Sequence, residues 1–207
     1  MLVFFRENLA LLAVPKTGTT AYEMALKRRA DIIFAGRRKH ANASFFHRKL
    51  GPFLKSAYGL TPERMAVIRQ PIDHMRSWYR YRARDEIRGK PASTAAMTFD
   101  DFIEAALLKE PPECAKVGSQ EGFLIMRRGQ VPVHHLFAYD AQPLIRGFLE
   151  ERFKRKLELK QYNVSPNIEA PLDPEVEARF RAAREKEFAL YDRVKAAGGH
   201  LRQLLED

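Results

Sequence analysis

The chain of 207 residues is 45% hydrophobic and 30% charged, a balance that supports a buried core and excludes disorder along its whole length. Its one cysteine, Cys114, excludes an intramolecular disulfide framework and a multi-cysteine zinc site, and no apolar stretch is long enough to span a bilayer. The net charge of +10, from 36 basic and 26 acidic residues, suits anionic partners such as nucleotides, nucleic acids, acidic glycans or anionic lipid surfaces, but charge alone favours a well-solvated basic surface.

The N-terminal segment does not have the composition of a signal peptide. A short apolar start ends at Arg6 and Glu7, and the apolar run that follows is broken by Pro15. We therefore expect a cytoplasmic protein. The length of the chain predicts a single domain over residues 1–207.

Short apolar segments alternate with amphipathic ones along the rest of the chain. The apolar segments predict four strands, at residues 9–14, 32–34, 65–68 and 135–139. Periodicity and helix-start residues predict helices at residues 20–29, 44–58, 71–87, 99–109 and 140–156, and a last one from 173 to the glycines at 198 and 199. Thr98 is the expected N-cap of the helix at 99–109. This alternation predicts an α/β fold of three layers, in which a central, mainly parallel sheet is flanked by helices.

The turn between the first strand and the first helix has the composition of an anion-binding loop. Its sequence is Pro15-Lys16-Thr17-Gly18-Thr19-Thr20. It follows the carboxyl end of a strand, where open parallel sheets bind ligands, and it opens a helix whose N-terminus attracts anions. The glycine lets the backbone curl closely, the threonines add hydroxyl donors and the lysine adds a mobile charge. The loop therefore predicts a phosphate or sulfate site, the alternative being an ordinary turn with a threonine cap.

This loop is not that of the nucleotide triphosphatases. The lysine precedes the glycine here, whereas the triphosphatase loop places Gly-Lys-Ser/Thr after an earlier glycine. The third strand also ends in Arg69 rather than in a magnesium-binding aspartate. A magnesium-dependent ATPase or kinase is therefore disfavoured.

A second anion motif follows the third strand. Arg69 closes that strand, and Ser77 lies about two turns into the next helix. An arginine fork together with a hydroxyl suits a phosphate monoester. The alternative is that Arg69 pairs with a carboxylate and Ser77 only packs.

Together the two segments resemble the family of sulfotransferases that use 3′-phosphoadenosine 5′-phosphosulfate (PAPS), in particular its carbohydrate-type and bacterial members. The family pattern Pro-Lys-x-Gly-Thr-Thr is matched at residues 15–20, and the pattern Arg-x-Pro, then Ser and an aromatic residue, is matched by Arg69, Pro71, Ser77 and Tyr79. Weaker similarity extends over nearly the whole chain, at residues 120–124, 135–156, 162–166 and 188–191. One departure is His74, where many carbohydrate-type members carry a second arginine that Arg76 could replace.

The resemblance implies a P-loop-like fold, PAPS as cosubstrate, no metal and in-line sulfuryl transfer. Lys16 would stabilise the leaving group, and Arg69 and Ser77 would hold the 3′-phosphate. The 5′-phosphate would be held by Thr17, Gly18, Thr19 and Thr20. By analogy with phosphoryl transfer, the protein mainly positions the reactants and neutralises charge.

The acceptor must lose a proton, and histidine is the side chain best suited to take it near neutrality. His40 follows the second strand, where related carbohydrate sulfotransferases often place such a residue. The alternative is an exposed loop histidine without a role. His47 is the next candidate. Glu23 and Glu63 are candidate bases only if the fold brings them to the loop. His134 and His135 are expected to be structural residues.

The sequence leaves the acceptor open. It is a hydroxyl or an amine of a glycan, a lipid or a small molecule, and the basic charge favours an acidic carbohydrate. Nucleic acid is not an expected partner, and the chain is either a monomer or a homodimer. The alternatives are a nucleic-acid or polyanion-binding module using an aromatic and basic face at residues 76–82, a metal-dependent kinase-like protein, and a degenerate sulfotransferase that binds PAPS without transfer.

Overall fold

A computed structural model describes residues 1–160 and 168–205. In these residues six strands form one open sheet in the order β3-β1-β2-β4-β5-β6. The strands are β1 (Leu2–Phe4), β2 (Leu9–Leu11), β3 (Ile32–Ile33), β4 (Glu63–Ile68), β5 (His135–Ala138) and β6 (His200–Arg202). The central strands β2, β4 and β5 are parallel, whereas β1, β3 and β6 pair antiparallel at the edges. The sheet is therefore mixed, and the predicted parallel arrangement holds for its centre.

The parallel centre brings three chain segments to one edge of the sheet. Leu11 pairs with Met65 across β2 and β4, and Met65 pairs with His135 across β4 and β5. Because these strands run in the same direction, the residues that follow them meet at the carboxyl edge. That edge carries the loop at residues 15–20, together with Arg69 and Tyr139.

Helices cover both faces of the sheet. They are α1 (Thr19–Leu26), α2 (Ala43–Phe45), α3 (Gly51–Tyr58), α4 (Pro71–Arg82), α5 (Phe99–Leu107), α6 (Gln120–Leu124), α7 (Gln142–Phe153), α8 (Pro174–Ala183) and α9 (Glu185–Ala196). A π-helical turn at Phe46–Leu50 joins α2 to α3, and 3₁₀ turns lie at Lys27–Arg29, Gly36–Arg38, Asp85–Ile87 and Arg127–Gly129. No helix in the described ranges is both long and apolar enough to cross a membrane.

The strand β4 shows why the sheet is buried on both faces. Its side chains alternate, so that Ala66 and Ile68 pack in a cluster with α3, α6 and α9, and Met65 and Val67 pack on the other face with α1 and α7. A third cluster joins α4, α5, α8 and α9 beside the sheet, around Phe102. The α/β fold with helices on both faces of a central sheet is confirmed.

Several boundaries differ from the sequence prediction. The four predicted strands are present, but β1 and β6 were missed. β1 has only three residues and pairs with β2 across a short turn, and β6 has only three residues and is specified by pairing with the distant β5. The helix predicted to reach residue 87 ends at Arg82, and the last predicted helix is broken at Arg184 into α8 and α9. The Thr98 cap is confirmed, since its hydroxyl accepts from Asp101 N in a capping box.

Candidate active site

The loop after β2 has a backbone that requires glycine at one position. Gly18 has φ +70° and caps the N-terminus of α1, and a Cβ atom there would lie 2.7 Å from Cε2 of Tyr139. Both the left-handed conformation and the close approach of the ring exclude a side chain. Lys16 is also left-handed, with φ +61°. The loop therefore turns tightly and presents the first N–H groups of α1, which have no partner within the helix.

The three threonines of the loop differ in their contacts. The buried Thr17 hydroxyl donates to Val14 O at 2.8 Å, so it closes the turn itself. Thr19 is buried at the start of α1, and the Thr20 hydroxyl accepts from Lys39 Nζ at 3.4 Å. We conclude that the main chain, more than the Thr17 hydroxyl, is the part of this loop that can hold an anion.

Lys16 is held against two aromatic side chains of α4. Its ammonium nitrogen lies 4.0 Å from the ring centroid of Tyr81 and 5.8 Å from that of Trp78. Burial lowers the pKa of Lys16 to about 8, with further lowering from the nearby charges of Arg84 and Arg69. Lys16 is thus still mostly protonated at pH 7, but its charge is less favourable than that of an exposed lysine, and a bound anion would stabilise it. The aromatic platform was not predicted, because Trp78 and Tyr81 meet the lysine only through the fold.

Arg69 lies beside the same loop. Its Nη1 donates to Lys16 O at a long 3.5 Å, and its guanidinium lies 4.4 Å from the ring centroid of Tyr139. In the described part of the chain no carboxylate oxygen lies within 4.0 Å of this guanidinium, and its buried Nε has no hydrogen-bond partner. Burial lowers the pKa of Arg69. The alternative of a structural ion pair for Arg69 therefore does not fit the contacts.

The main chain of Arg69 is fixed by a buried amide that sequence reasoning missed. Gln120 Oε1 accepts from Arg69 N at 2.7 Å, and Gln120 Nε2 donates to Arg69 O at 2.8 Å. The same Nε2 lies 2.8 Å from Glu187 Oε1 in α9, and burial raises the pKa of that carboxyl. The weak sequence similarity at residues 120–124 was the one signal that could have pointed to this clamp.

His74 supports the loop without adding charge. It is 2% exposed, and its Nε2 donates to Pro15 O at 3.1 Å. Burial lowers the pKa of His74 to about 4, so the ring is neutral near neutrality. His74 therefore does not replace the positive charge of the second family arginine.

Arg76 and Ser77 lie further along α4. Arg76 Nη1 pairs with Asp73 Oδ1 at 3.0 Å, and its Nε donates to Ala170 O at 3.2 Å. Ser77 is partly buried, and within residues 1–160 and 168–205 no hydrogen bond joins it to Arg69. The structure thus places Arg69 against the loop directly and places Ser77 only on the neighbouring helix.

His40 is brought to the loop from the turn after β3. Its Nδ1 lies 2.7 Å from Ala13 O, and a carbonyl can only accept, so the proton is on Nδ1 and Nε2 is left as an acceptor. A cavity of about 310 Å³ lies between His40, His74 and residues 118–120, 122 and 123, with Val14 and Pro15 in its wall. His40 is thus oriented as a base would be, at a cavity that borders the loop.

Of the other candidates, Glu23 lies near the loop, one turn into α1, and the rest lie elsewhere. Glu63 and His135 begin the parallel strands β4 and β5, so they lie at the opposite edge of the sheet, where they contact each other at 3.3 Å. His134 precedes His135 and bonds with Arg64. His47 lines a separate cavity of about 590 Å³ together with Arg64. Glu23 pairs with Lys39 at 2.7 Å.

Comparisons of the chain with protein-family models, with curated proteins and with solved structures found no match. In the described residues no group of three or more histidine, cysteine, aspartate or glutamate side chains is arranged to hold a metal ion. The segment of family similarity at residues 162–166 lies outside the described residues.

Proposed function

We propose that the chain is a sulfotransferase, which moves a sulfuryl group from PAPS to an acceptor at the carboxyl edge of the sheet. One observation carries the proposal. The Arg69 guanidinium, with no carboxylate beside it in the described ranges, reaches the backbone of Lys16, the residue of lowered pKa in the anion loop. Two cationic side chains and a helix N-terminus thus lie close together at the carboxyl edge of the sheet. This arrangement suits a ligand with two phosphate groups.

The proposed roles follow from this placement. The N–H groups at the start of α1 bind the 5′-phosphate, and Arg69, with Ser77, binds the 3′-phosphate. Lys16 is held on Tyr81 at 4.0 Å and moves to the bridging oxygen as negative charge develops there. Because its pKa is lowered by burial, the phosphosulfate anion restores a favourable environment for its charge.

The acceptor loses a proton during the transfer, and His40 is the group proposed to take it. The acceptor oxygen forms a bond to sulfur while the sulfur–oxygen bond to the 5′-phosphate breaks, and the bonding electrons stay on the phosphate oxygen. The acceptor proton passes to His40 Nε2, which is the available nitrogen because Nδ1 donates to Ala13 O. The products are a sulfate ester and 3′-phosphoadenosine 5′-phosphate (PAP).

The polyanion-binding alternative is weaker, because the arginines of α4 at residues 76, 80 and 82 are engaged by main-chain carbonyls. Arg76 and Arg80 donate to the carbonyls of Ala170 and Ile168, and Arg82 donates to Glu113 O and Lys116 O. Tyr79 is buried, and its hydroxyl donates to Met97 O. A kinase-like protein is disfavoured by the order of lysine and glycine in the loop.

The experiment is calorimetric titration of PAP, with AMP as the control nucleotide, in buffer without magnesium. We expect PAP to bind wild-type protein much more tightly than AMP, and we expect Arg69→Ala to lose that preference. Arg179→Ala is the matched variant, since it removes an exposed arginine that pairs with Glu104 on the far helices. It should bind PAP as wild type does.

Equal or absent binding of the two nucleotides would contradict the proposal and would favour the polyanion-binding module. Tight PAP binding without turnover of PAPS, across neutral, acidic and amine acceptors, would identify a degenerate sulfotransferase instead.

A further inference from the structure

The cavity of about 310 Å³ beside the loop is positioned for an acceptor. We call it the acceptor cavity and define it by Pro15, His40, Asn42, His74, Ser119 and Phe123. It borders Pro15, the residue before Lys16, and the His74 ring that lines it donates to the Pro15 carbonyl at 3.1 Å. An acceptor bound there would contact His40 and would lie next to the residue that precedes Lys16.

The polar groups of the acceptor cavity suit a molecule with hydroxyl groups. His40 offers Nε2 as an acceptor. Asn42 Oδ1 already accepts from Phe45 N at 2.9 Å, which leaves its amide N–H groups as donors. Ser119 Oγ accepts from Gly122 N at 2.9 Å, which leaves its O–H as a donor. A polyhydroxylated ring can satisfy this one acceptor and the donors of these two side chains.

The charge of the lining is the decisive observation. Among the described residues that line the cavity there is no lysine, arginine, aspartate or glutamate. The positive charges of Lys16, Arg69 and Arg184 act on His74 from outside this lining. A carboxylate or sulfate group would therefore lose water in the cavity without a cation in direct contact, and a protonated amine would lose water without gaining a carboxylate. The apolar side chains of Val14 and Phe123 provide a wall for a ring face.

The size of the cavity matches a single ring of an acceptor. A volume of about 310 Å³ is at the small end of the range for ligand sites, roughly 300–1,000 Å³. We infer that the acceptor is an uncharged hydroxyl compound about the size of one sugar ring, bound between His40, Asn42 and Ser119. This inference rests on the proposed function, and it differs from the acidic carbohydrate that net charge alone favours.

Three compounds with the same ring test the inference. Methyl glucoside is uncharged, glucuronic acid is anionic and glucosamine is cationic at neutral pH. With PAPS present, PAP release and product mass are measured for each. We expect kcat/KM for methyl glucoside to exceed that of either charged sugar by at least about tenfold, because an unpaired charge is costly to bury.

A variant makes the test specific to the cavity. Asn42→Asp keeps the oxygen that caps α2 but adds a carboxylate to the lining. We expect it to shift the preference toward glucosamine by about tenfold or more, with PAP binding unchanged. Gln130→Glu introduces the same change on an exposed residue outside this cavity, and should leave the preference as in wild type.

The outcomes separate the two proposals. Loss of PAP binding in wild type would refute the sulfotransferase itself and the acceptor with it. Intact PAP binding with a preference for a charged sugar, with no sulfation of any of the three, or with no response to Asn42→Asp, would overturn only the acceptor inference.

Discussion

At the scale of single residues, the site contains two basic side chains whose protonated form is disfavoured by burial. Lys16 lies on an aromatic ring with its pKa lowered to about 8, and His74 is buried with its pKa lowered to about 4. In both cases burial is the first cause. The site therefore combines a lysine that loses its charge near pH 8 with a ring that stays neutral, so its affinity for anions depends on Lys16 and Arg69.

The pH dependence of PAP binding follows from Lys16. The bound anion favours the protonated amine, so the dissociation constant should be constant from pH 7 to near 8 and should increase as pH rises beyond 8, toward tenfold per unit. The PAP phosphates are already fully charged in this range. Calorimetry from pH 7 to 9.5 measures it.

The control for this prediction is Lys16→Arg, which keeps its charge at every pH in the range. It should bind PAP with a flat profile. A flat profile for wild-type protein would show that the Lys16 ammonium does not contribute to PAP affinity.

At the scale of elements, the turn between β2 and α1 combines two constraints at Gly18. The left-handed φ of +70° disfavours any side chain, and the Tyr139 ring occupies the space where Cβ would lie. Gly59, which ends α3, has a similar φ of +66°, but no atom lies within 4 Å of the position that a Cβ would take there. A comparison of substitutions at the two glycines therefore distinguishes the effect of backbone strain, which they share, from the effect of contact with Tyr139, which only Gly18 has.

We expect Gly18→Ala and Gly59→Ala each to lower the free energy of unfolding by about 1–2 kcal/mol, because alanine is strained in the left-handed region. Only Gly18→Ala should also weaken PAP binding, by about tenfold or more, since Tyr139 and the loop must shift apart. Urea denaturation and calorimetry give the two quantities. Equal PAP affinity in both variants would mean that the loop geometry is not part of the binding site.

The sequence alone was sufficient to predict the elements that have a distinctive local residue pattern. The position of the anion loop at a strand end, and of Arg69 at another, followed from local apolar runs and from the geometry of parallel strands. The Gln120 clamp, the platform under Lys16 and the edge strand β6 were not predictable in this way. Each depends on contacts between residues far apart in the chain, which composition and periodicity do not encode.

At the scale of the whole molecule, the site is formed by segments that are far apart in the chain and that the sheet brings together. The anion loop belongs to α1 and β2, Arg69 to β4, Tyr139 to β5, and the buried amide under Arg69 to α6. A ligand that bridges the loop and Arg69 should therefore stabilise the folded chain as a unit.

At a PAP concentration one hundred times its dissociation constant, mass action adds about 2.7 kcal/mol to stability. For a chain of 207 residues this corresponds to a rise in melting temperature of roughly 5–10 °C. Differential scanning calorimetry with PAP and with AMP at the same concentration measures it. AMP giving the same rise, or Arg69→Ala keeping it, would count against a bridging nucleotide.

The double hydrogen bond from Gln120 to Arg69 also offers a criterion for finding relatives of this chain. A primary amide presents one donor and one acceptor, as a peptide unit does, so Gln120 continues the hydrogen-bonding pattern past the end of β4. Glutamate lacks the donor, and asparagine is one methylene shorter. We therefore expect a homologue with the arginine of the second motif to retain a glutamine after it, a signature that could recruit sequences too divergent for overall similarity to detect.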